Sequence, residues 1–156
     1  MRAPVWILGV LLGAIPGCAQ VEKVAMRTTG ISCGICAGLS EIYFHRVPGV
    51  DHVKISLSQE AILLTYKPGA TFDPKAIRDV LAPLKVGVVQ FQISARGEVR
   101  QEGGKPMLVA GKDKFLLLTD ANSPAAPFDT PVHLEGVLLD RARPMEVRIL
   151  AVTPLR

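Results

Sequence analysis

Residues 30–50 of this chain read GISCGICAGLSEIYFHRVPGV, and they indicate the fold more clearly than any other stretch. They place Cys33 and Cys36 three residues apart, immediately before a run with helical spacing of apolar residues. Pro48 and Gly49 then end that helix. Two thiols at a strand-to-helix turn can converge on one soft metal ion or close into one disulfide. The function therefore depends on the state of this pair.

The segments around this stretch alternate between strand and helix patterns. Strands are predicted over residues 21–27, 50–57, 61–66 and 86–94, and helices over residues 34–46 and 74–84. Asp73 is a good N-cap for the second helix, and Pro74 suits its first position. The order strand, helix, strand, strand, helix, strand is the split βαβ arrangement of ferredoxin-like folds. We expect the first helix to bury one apolar face, made of Leu39, Ile42, Tyr43 and Val47.

Residues 22–95 resemble a heavy-metal-associated (HMA) domain, the module of copper chaperones, copper-pump N-termini and periplasmic mercury-binding proteins. The family pattern is Gly-Met-x-Cys-x-x-Cys followed by Val-Pro-Gly-Val, and this chain carries Gly30–Cys36 and Val47–Val50 at the same spacing. The resemblance covers about half of the chain. It implies one soft metal ion held by Cys33 and Cys36, with Cu(I) favoured and Hg(II) or Zn(II) as alternatives. It also implies metal-transporting or metal-accepting proteins as partners.

Three residues depart from the family pattern. Ile31 stands where the family has a methionine that packs under the loop, so we expect the change to be tolerated. Ser40 stands where the first helix carries an aliphatic side chain, which predicts different local packing. Pro83 falls in the last turn of the second helix and is expected to reshape the loop beside the cysteines.

The chemistry of the pair can be argued from the residues alone. Cys36 near a helix N-terminus lies at the positive end of the helix dipole, which favours the thiolate. Two thiolates suit Cu(I) or Hg(II), whereas zinc prefers four ligands. His45 and His52 are expected at the opposite end of the first helix, on the order of 16 Å away. Lys85 is expected at the cysteine end, either screening a bis-thiolate complex or solvated.

Two other interpretations of the cysteines remain open. One is a thioredoxin-type redox pair, but the chain lacks the tryptophan and the facing proline strand that such a fold usually carries. The other is a structural disulfide, or a degenerate site that binds nothing. Metal binding is the hypothesis that we favour.

The N-terminal residues predict export. A short positive start is followed by apolar residues 5–15, a segment too short to span a bilayer. Residues 15–18, IPGC, resemble a bacterial lipoprotein motif in which Cys18 receives the lipid; cleavage after Ala19 is the alternative. We therefore expect a signal over residues 1–19 and a periplasmic protein or membrane-anchored lipoprotein, in contact with the membrane only through that lipid.

Composition excludes two classes of protein. The net charge is +4 at pH 7, but lysine and arginine are scattered and only 5% of residues are aromatic, so no nucleic-acid partner is expected. Three cysteines are too few for a disulfide-stapled scaffold.

The second half of the chain has a different pattern. Five short β-runs are separated by turns, at residues 97–101, 107–110, 115–119, 132–139 and 145–152. They predict a small, partly open barrel that is most like an OB-fold. The fold by itself does not identify a ligand for this half. His133 alternates with apolar neighbours and is expected at the surface. We expect this half to attach at the end of the first half remote from the cysteines, so that its removal leaves metal affinity nearly unchanged.

Together these observations predict an α+β protein that is not an enzyme. It has a ferredoxin-like βαββαβ domain over residues 20–96 and an OB-like β-barrel over residues 97–156. The predicted function is capture or transfer of one soft cation by Cys33 and Cys36. The alternative is a scaffold or interaction protein whose metal loop is vestigial or locked by a disulfide.

Overall fold

The computed structural model describes residues 18–156 of the chain. The apolar segment of the predicted export signal therefore lies outside the described residues, and Cys18 is exposed at their start. No helix in the described part of the chain is both long and apolar enough to cross a membrane. Export and lipidation stay predictions.

The described residues form two α-helices and eight strands. The first half contains β1 (Gln20–Thr29), α1 (Gly34–Phe44), β2 (Val50–Ser56), β3 (Ala61–Tyr66), α2 (Pro74–Leu81), a single 3-10 turn (Ala82–Leu84) and β4 (Gly87–Glu102). The second half adds β5 (Lys105–Ala110), β6 (Asp113–Leu118), β7 (Pro131–Leu139) and β8 (Glu146–Pro154). The mixed α/β class that the sequence predicts is confirmed.

All eight strands belong to one sheet, in the order β2-β3-β1-β4-β5-β6-β8-β7. β7 also pairs with β4, so the strands from β4 to β8 close into a barrel-like sheet. Within this barrel β6 and β8 are parallel, and the other neighbouring strands are antiparallel. The two halves therefore share backbone hydrogen bonds rather than a flexible linker.

β4 is the strand that joins the halves, and its 16 residues merge two of the predicted strands. Residues 87–96 pair with β1, residues 91–98 with β7, and residues 98–102 with β5. Along its middle, β4 thus has a strand on each side. The predicted division between residues 96 and 97 lies inside this shared strand, and the division into two domains stays a prediction.

Gly97 marks the point where β4 passes from one half to the other. A glycine usually weakens a strand, and the sequence predicts separate strands over residues 86–94 and 97–101. In the structure Gly97 is buried, and a Cβ atom on it would collide with the carbonyl oxygen of Val109 on β5. The glycine therefore permits the close approach of β5 and does not end the strand.

The buried face of α1 differs from the predicted one. Leu39 and Ile42 are 41% and 56% exposed, so their predicted burial is wrong. The helix instead buries Ser40 and Phe44, four residues apart. The apolar pattern left Ser40 off the predicted buried face because serine is a polar residue. In the structure, its hydroxyl has a hydrogen-bond partner within the helix and can therefore be buried. It donates a hydrogen bond to the carbonyl of Cys36 at 2.7 Å.

Ser40→Val is expected to raise the free energy of unfolding by about 1 kcal/mol, because it replaces a fully buried hydroxyl with methyl groups. The Cys36 carbonyl keeps its ordinary acceptor role toward the helix backbone, so no buried acceptor is left without a partner. Urea unfolding would measure the change. The exposed Ser58→Val is the control and should alter stability by less than about 0.5 kcal/mol. Destabilisation by both Ser40→Val and Ser40→Ala would show that the hydroxyl is needed, whereas destabilisation by valine alone would show that the site is too small for the added methyl group.

Residues of the second half contact the first half at the end that is remote from Cys33. Asp113 at the start of β6 is buried, and its carboxylate accepts a hydrogen bond from the backbone N–H of Phe72 at 3.0 Å. Burial raises the pKa of Asp113, and this hydrogen bond opposes the rise. The turn at Gly111 lies against the backbone of Ala19. These contacts lie at the end where the sequence predicts attachment.

A further contact reaches α2. Arg78 donates two hydrogen bonds to the carboxylate of Asp140, at 2.9 and 3.2 Å, and its guanidinium lies over the ring of Phe91 at 4.9 Å from the centroid. The second half therefore attaches along β4 and α2 as well as at the remote end. The attachment is wider than the sequence predicts, because β7 returns along the open edge of β4.

Candidate metal centre

The two cysteines lie at the N-terminus of α1. Cys33 is the N-cap residue, with extended backbone angles (φ −118°, ψ 144°), and its Sγ accepts a hydrogen bond from the backbone N–H of Cys36 at 3.1 Å. The backbone N–H of Ala37 donates to the carbonyl of Cys33 at 3.1 Å. Cys33 is exposed and Cys36 is half-buried. A sulfur in this position faces helix N–H groups that stabilise negative charge.

The structure brings Cys33 and Cys36 together. Their Cα atoms are 5.3 Å apart, and their Sγ atoms lie within disulfide-bonding distance. A pair this close can hold one ion between two sulfurs when reduced, or form one covalent bond when oxidised. The geometry therefore supports both chemical states that the sequence predicts for the pair.

The loop before α1 packs against the core and against the loop that follows α2. Ile31 is fully buried, in keeping with the packing role expected at this position. Gly30 has a positive φ of 85°, and a Cβ atom there would lie 2.9 Å from the carbonyl oxygen of Lys85. Only glycine adopts this backbone conformation freely, so Gly30 allows the cysteine loop to rest against the loop that follows α2.

Lys85 lies at the cysteine end of the fold, where the sequence places it. It follows the 3-10 turn in a left-handed conformation (φ 57°), and its backbone N–H donates to the carbonyl of Ala82 at 3.0 Å. Its side chain is exposed. When the two cysteines are reduced, the ammonium group of Lys85 would favour a negatively charged bis-thiolate complex at this end of the fold.

The histidines lie elsewhere. His45 is the C-cap residue of α1, at the opposite end of the helix from Cys33. His52 is exposed and contacts Asp51 at 2.9 Å. In residues 18–156, no group of three or more His, Cys, Asp and Glu side chains is placed to hold a metal ion.

His133 belongs to a polar contact between the halves that sequence reasoning missed. Its Nε2 atom lies 2.7 Å from the hydroxyl of Ser94 on β4 and 3.8 Å from a carboxylate oxygen of Glu22 on β1. Arg96 pairs with the same carboxylate at 2.9 Å. Ser94 and Glu22 approach the same imidazole nitrogen, so the three residues lack the two-sided arrangement of a catalytic triad. Residues 39 positions apart gave no local signal for this contact.

Comparisons with known proteins find copper-related relatives. No protein-family model matches the chain. The chain is 25% identical over 105 residues to copper-transporting ATPase 2 of Mus musculus, a match that covers 59% of this chain and 7% of that protein. It is 31% identical over 51 residues to a copper-exporting P-type ATPase of Staphylococcus haemolyticus, covering 33% of this chain and 6% of that protein. The chain thus spans less than a tenth of the length of either relative.

Solved structures give matches to small copper-related domains. A CopZ metallochaperone is 19% identical and matches 43% of this chain and 98% of its own, with a TM-score of 0.39. The N-terminal domain of PacS from Synechocystis PCC6803 is 19% identical and matches 43% of this chain and 92% of its own, with a TM-score of 0.37. Each match covers less than half of the present chain.

Proposed function

We propose that this chain binds one soft cation, with Cu(I) favoured, between the thiolates of Cys33 and Cys36. The observation that carries the proposal is the convergence of both sulfurs at the N-terminus of α1, where the backbone N–H of Cys36 donates to Cys33. The sequence similarity to two copper-transporting proteins supports the same class of ion. We also propose that the chain passes this ion to or from another protein during metal transport.

The choice of ion follows from the donor set. Two thiolates complete the coordination that Cu(I) accepts, and they suit Hg(II) for the same reason of ligand softness. Zn(II) prefers four ligands in a tetrahedron, so the two sulfurs would need ligands from a second molecule. Zinc is therefore the least favoured of the three.

Transfer is proposed to proceed by ligand exchange. Cys33 is the more exposed of the two cysteines, so an incoming thiolate of a metal-transporting or metal-accepting protein would attack the ion on that side. The ion then passes through a shared intermediate as bonds to the new sulfur form and bonds to this chain break. No bond of an organic substrate changes, which is why we propose a carrier and not an enzyme.

Native mass spectrometry of the reduced, purified protein tests this function. Titration with Cu(I) is expected to give one ion per chain, with both thiols protected from alkylation. Parallel titrations with Hg(II) and Zn(II) would rank the ions. A protein that stays free of metal at stoichiometric Cu(I) would refute the proposal.

A second candidate function is favoured by the close approach of the two cysteines, whose Cα atoms are 5.3 Å apart. A scaffold or interaction protein could keep Cys33 and Cys36 as a permanent disulfide, in which case the loop would bind nothing. The two candidates differ in how metal binding responds to reductant.

Oxidation is expected to abolish metal binding reversibly. Joining the two sulfurs releases two protons and two electrons to an oxidant such as oxidised glutathione, and it removes both thiolates as ligands. We expect no tight Cu(I) binding by the oxidised protein and full recovery after dithiothreitol. Thiol counting before and after treatment is the control. Full metal occupancy with two free thiols in untreated protein from its own compartment would contradict this redox control.

The finer description of the fold is also proposed. The order of elements over residues 20–96 supports a ferredoxin-like type. The closed order β4-β5-β6-β8-β7 with parallel β6 and β8 supports an OB-like type for the second half. β1 has ten residues and therefore a length of about 33 Å. A lipid on Cys18 would then hold one end of β1 at the membrane and direct the cysteine loop away from it, on an exported protein.

A further inference from the structure

We propose that a cleft between the two halves docks an extended, acidic segment of a protein partner. This junction cleft is lined by residues 88–91 at the start of β4, residues 137–142 at the end of β7, and Arg78, Glu146 and Arg148. Its volume is about 690 Å³, within the range of sites that hold ligands. The cleft lies at the cysteine end of the sheet, since Gly87 pairs with Thr29 just before the cysteine loop.

The wall formed by β4 is an open strand edge. β1 pairs with β4 from Gly87 onward, whereas β7 pairs with it only from Phe91 onward. Among the described strands none pairs with the second edge of residues 87–90. The carbonyl of Val88 accepts a hydrogen bond from the guanidinium of Arg78 at 3.3 Å, so an added strand would share this acceptor with Arg78 or displace it. An edge of this kind accepts an added strand.

The middle of this edge presents an apolar side chain. The register between β1 and β4 shifts at this point, because Arg27 pairs with Gln90 and Thr28 pairs with Val88. Val89 is the extra residue of the bulge, and it is 58% exposed. Phe91 and Leu138 also line the cleft, but both are buried in the core, so Val89 is the apolar side chain that this edge exposes. An extended segment would therefore meet one apolar side chain as well as backbone groups.

The rim selects for negative charge. Arg78 is already paired with Asp140, but Arg141 and Arg148 are exposed and make no ion pair among the described residues. Arg143 lies on the same turn as Arg141. Two carboxylates line the cleft: Asp140 pairs with Arg78, and Glu146 makes no ion pair among the described residues. This excess of positive charge favours an acidic occupant, mainly through specificity and association rate.

The occupant is thus an extended peptide segment with alternating acidic and apolar residues. This inference deepens the proposed function. Only the identity of the partner, as a protein that gives or receives the metal ion, rests on that function. A segment held at this end of the sheet would keep the partner's thiols close to Cys33 while the ion is exchanged. The docking step itself needs no metal.

Amide NMR of the reduced, metal-free protein tests the junction cleft. The probe is an acetylated and amidated peptide that alternates glutamate and valine, and its matched counterpart alternates lysine and valine. We expect the acidic peptide to shift the amide resonances of residues 87–90 and to slow their hydrogen exchange, and the lysine peptide to leave them unchanged. Exchanging Arg141 and Arg148 together for glutamate should weaken the acidic peptide by about tenfold or more.

Two further variants keep the test decisive. Arg100→Glu changes an exposed arginine near the other end of β4 and should not alter peptide binding. Arg141→Gln removes one charge from an exposed turn and should weaken binding in the same direction as the double reversal. Equal responses to both peptides, shifts centred outside residues 87–90, or no effect of the charge reversal would overturn the proposal. Because no metal is present, failure here is separate from failure of Cu(I) binding.

Discussion

Replacing Cys33 or Cys36 with serine is expected to lower the affinity for Cu(I) by about a thousandfold or more, equivalent to about 4 kcal/mol. A serine hydroxyl stays protonated at neutral pH and is a hard ligand, so one thiolate would remain where two are needed. The double serine variant is expected to bind no Cu(I) tightly. Competition with a Cu(I) chelator under reducing conditions would measure the affinities.

Histidine variants provide the matched controls for this result. His45 lies at the far end of α1, His52 is exposed beside Asp51, and His133 contacts Ser94 on another part of the sheet. Their alanine variants should keep the wild-type affinity. One Cu(I) ion retained by the double serine variant would show that the site assignment is wrong.

Deleting residues 98–156 is expected to destabilise the first half strongly. The deletion removes the strand that pairs with residues 91–97 of β4, and it removes Asp140, the partner of Arg78. It also removes the buried carboxylate that accepts the Phe72 N–H. Several hydrogen bonds at about 1 kcal/mol each are lost, together with the apolar cover of β4, so we expect a loss of about 3 kcal/mol or more. The open edge should also promote aggregation.

Urea unfolding of residues 18–97, compared with residues 18–156, would measure this loss. The expectation drawn from sequence concerns metal affinity in a truncated chain that still folds, and it stays a prediction. A point variant makes the comparison sharper: Asp140→Asn in the complete chain keeps β7 in place and should cost far less than the deletion. Equal stability of the two chains would show that the halves are independent domains.

Much of the first half could be predicted because its signals are local. Asp73 and Pro74 begin α2 where capping rules place it, and Pro48 with Gly49 follows the end of α1. The two cysteines are three residues apart, so a helical turn brings them together whatever surrounds it. Local geometry therefore sufficed for the order of elements and for the candidate site.

The interior of α1 could not be predicted in the same way. Ser40 is buried and Leu39 is exposed, the reverse of what their side chains suggest. The hydrogen bond from Ser40 to the Cys36 carbonyl makes burial of the hydroxyl acceptable, and it depends on which face of the helix meets the sheet. That choice is made by packing against residues distant in the chain.

From the sequence alone follow the mixed α/β class, the order of the first six elements and the proximity of Cys33 to Cys36, because turn residues and helical spacing act over a few positions. The tertiary structure alone decides that β4 runs unbroken through Gly97 and that β7 returns to its edge. It also decides that Arg78 meets Asp140, 62 residues away. These features arise from hydrogen bonding and burial between distant segments, which leave no periodic mark on the residues that make them.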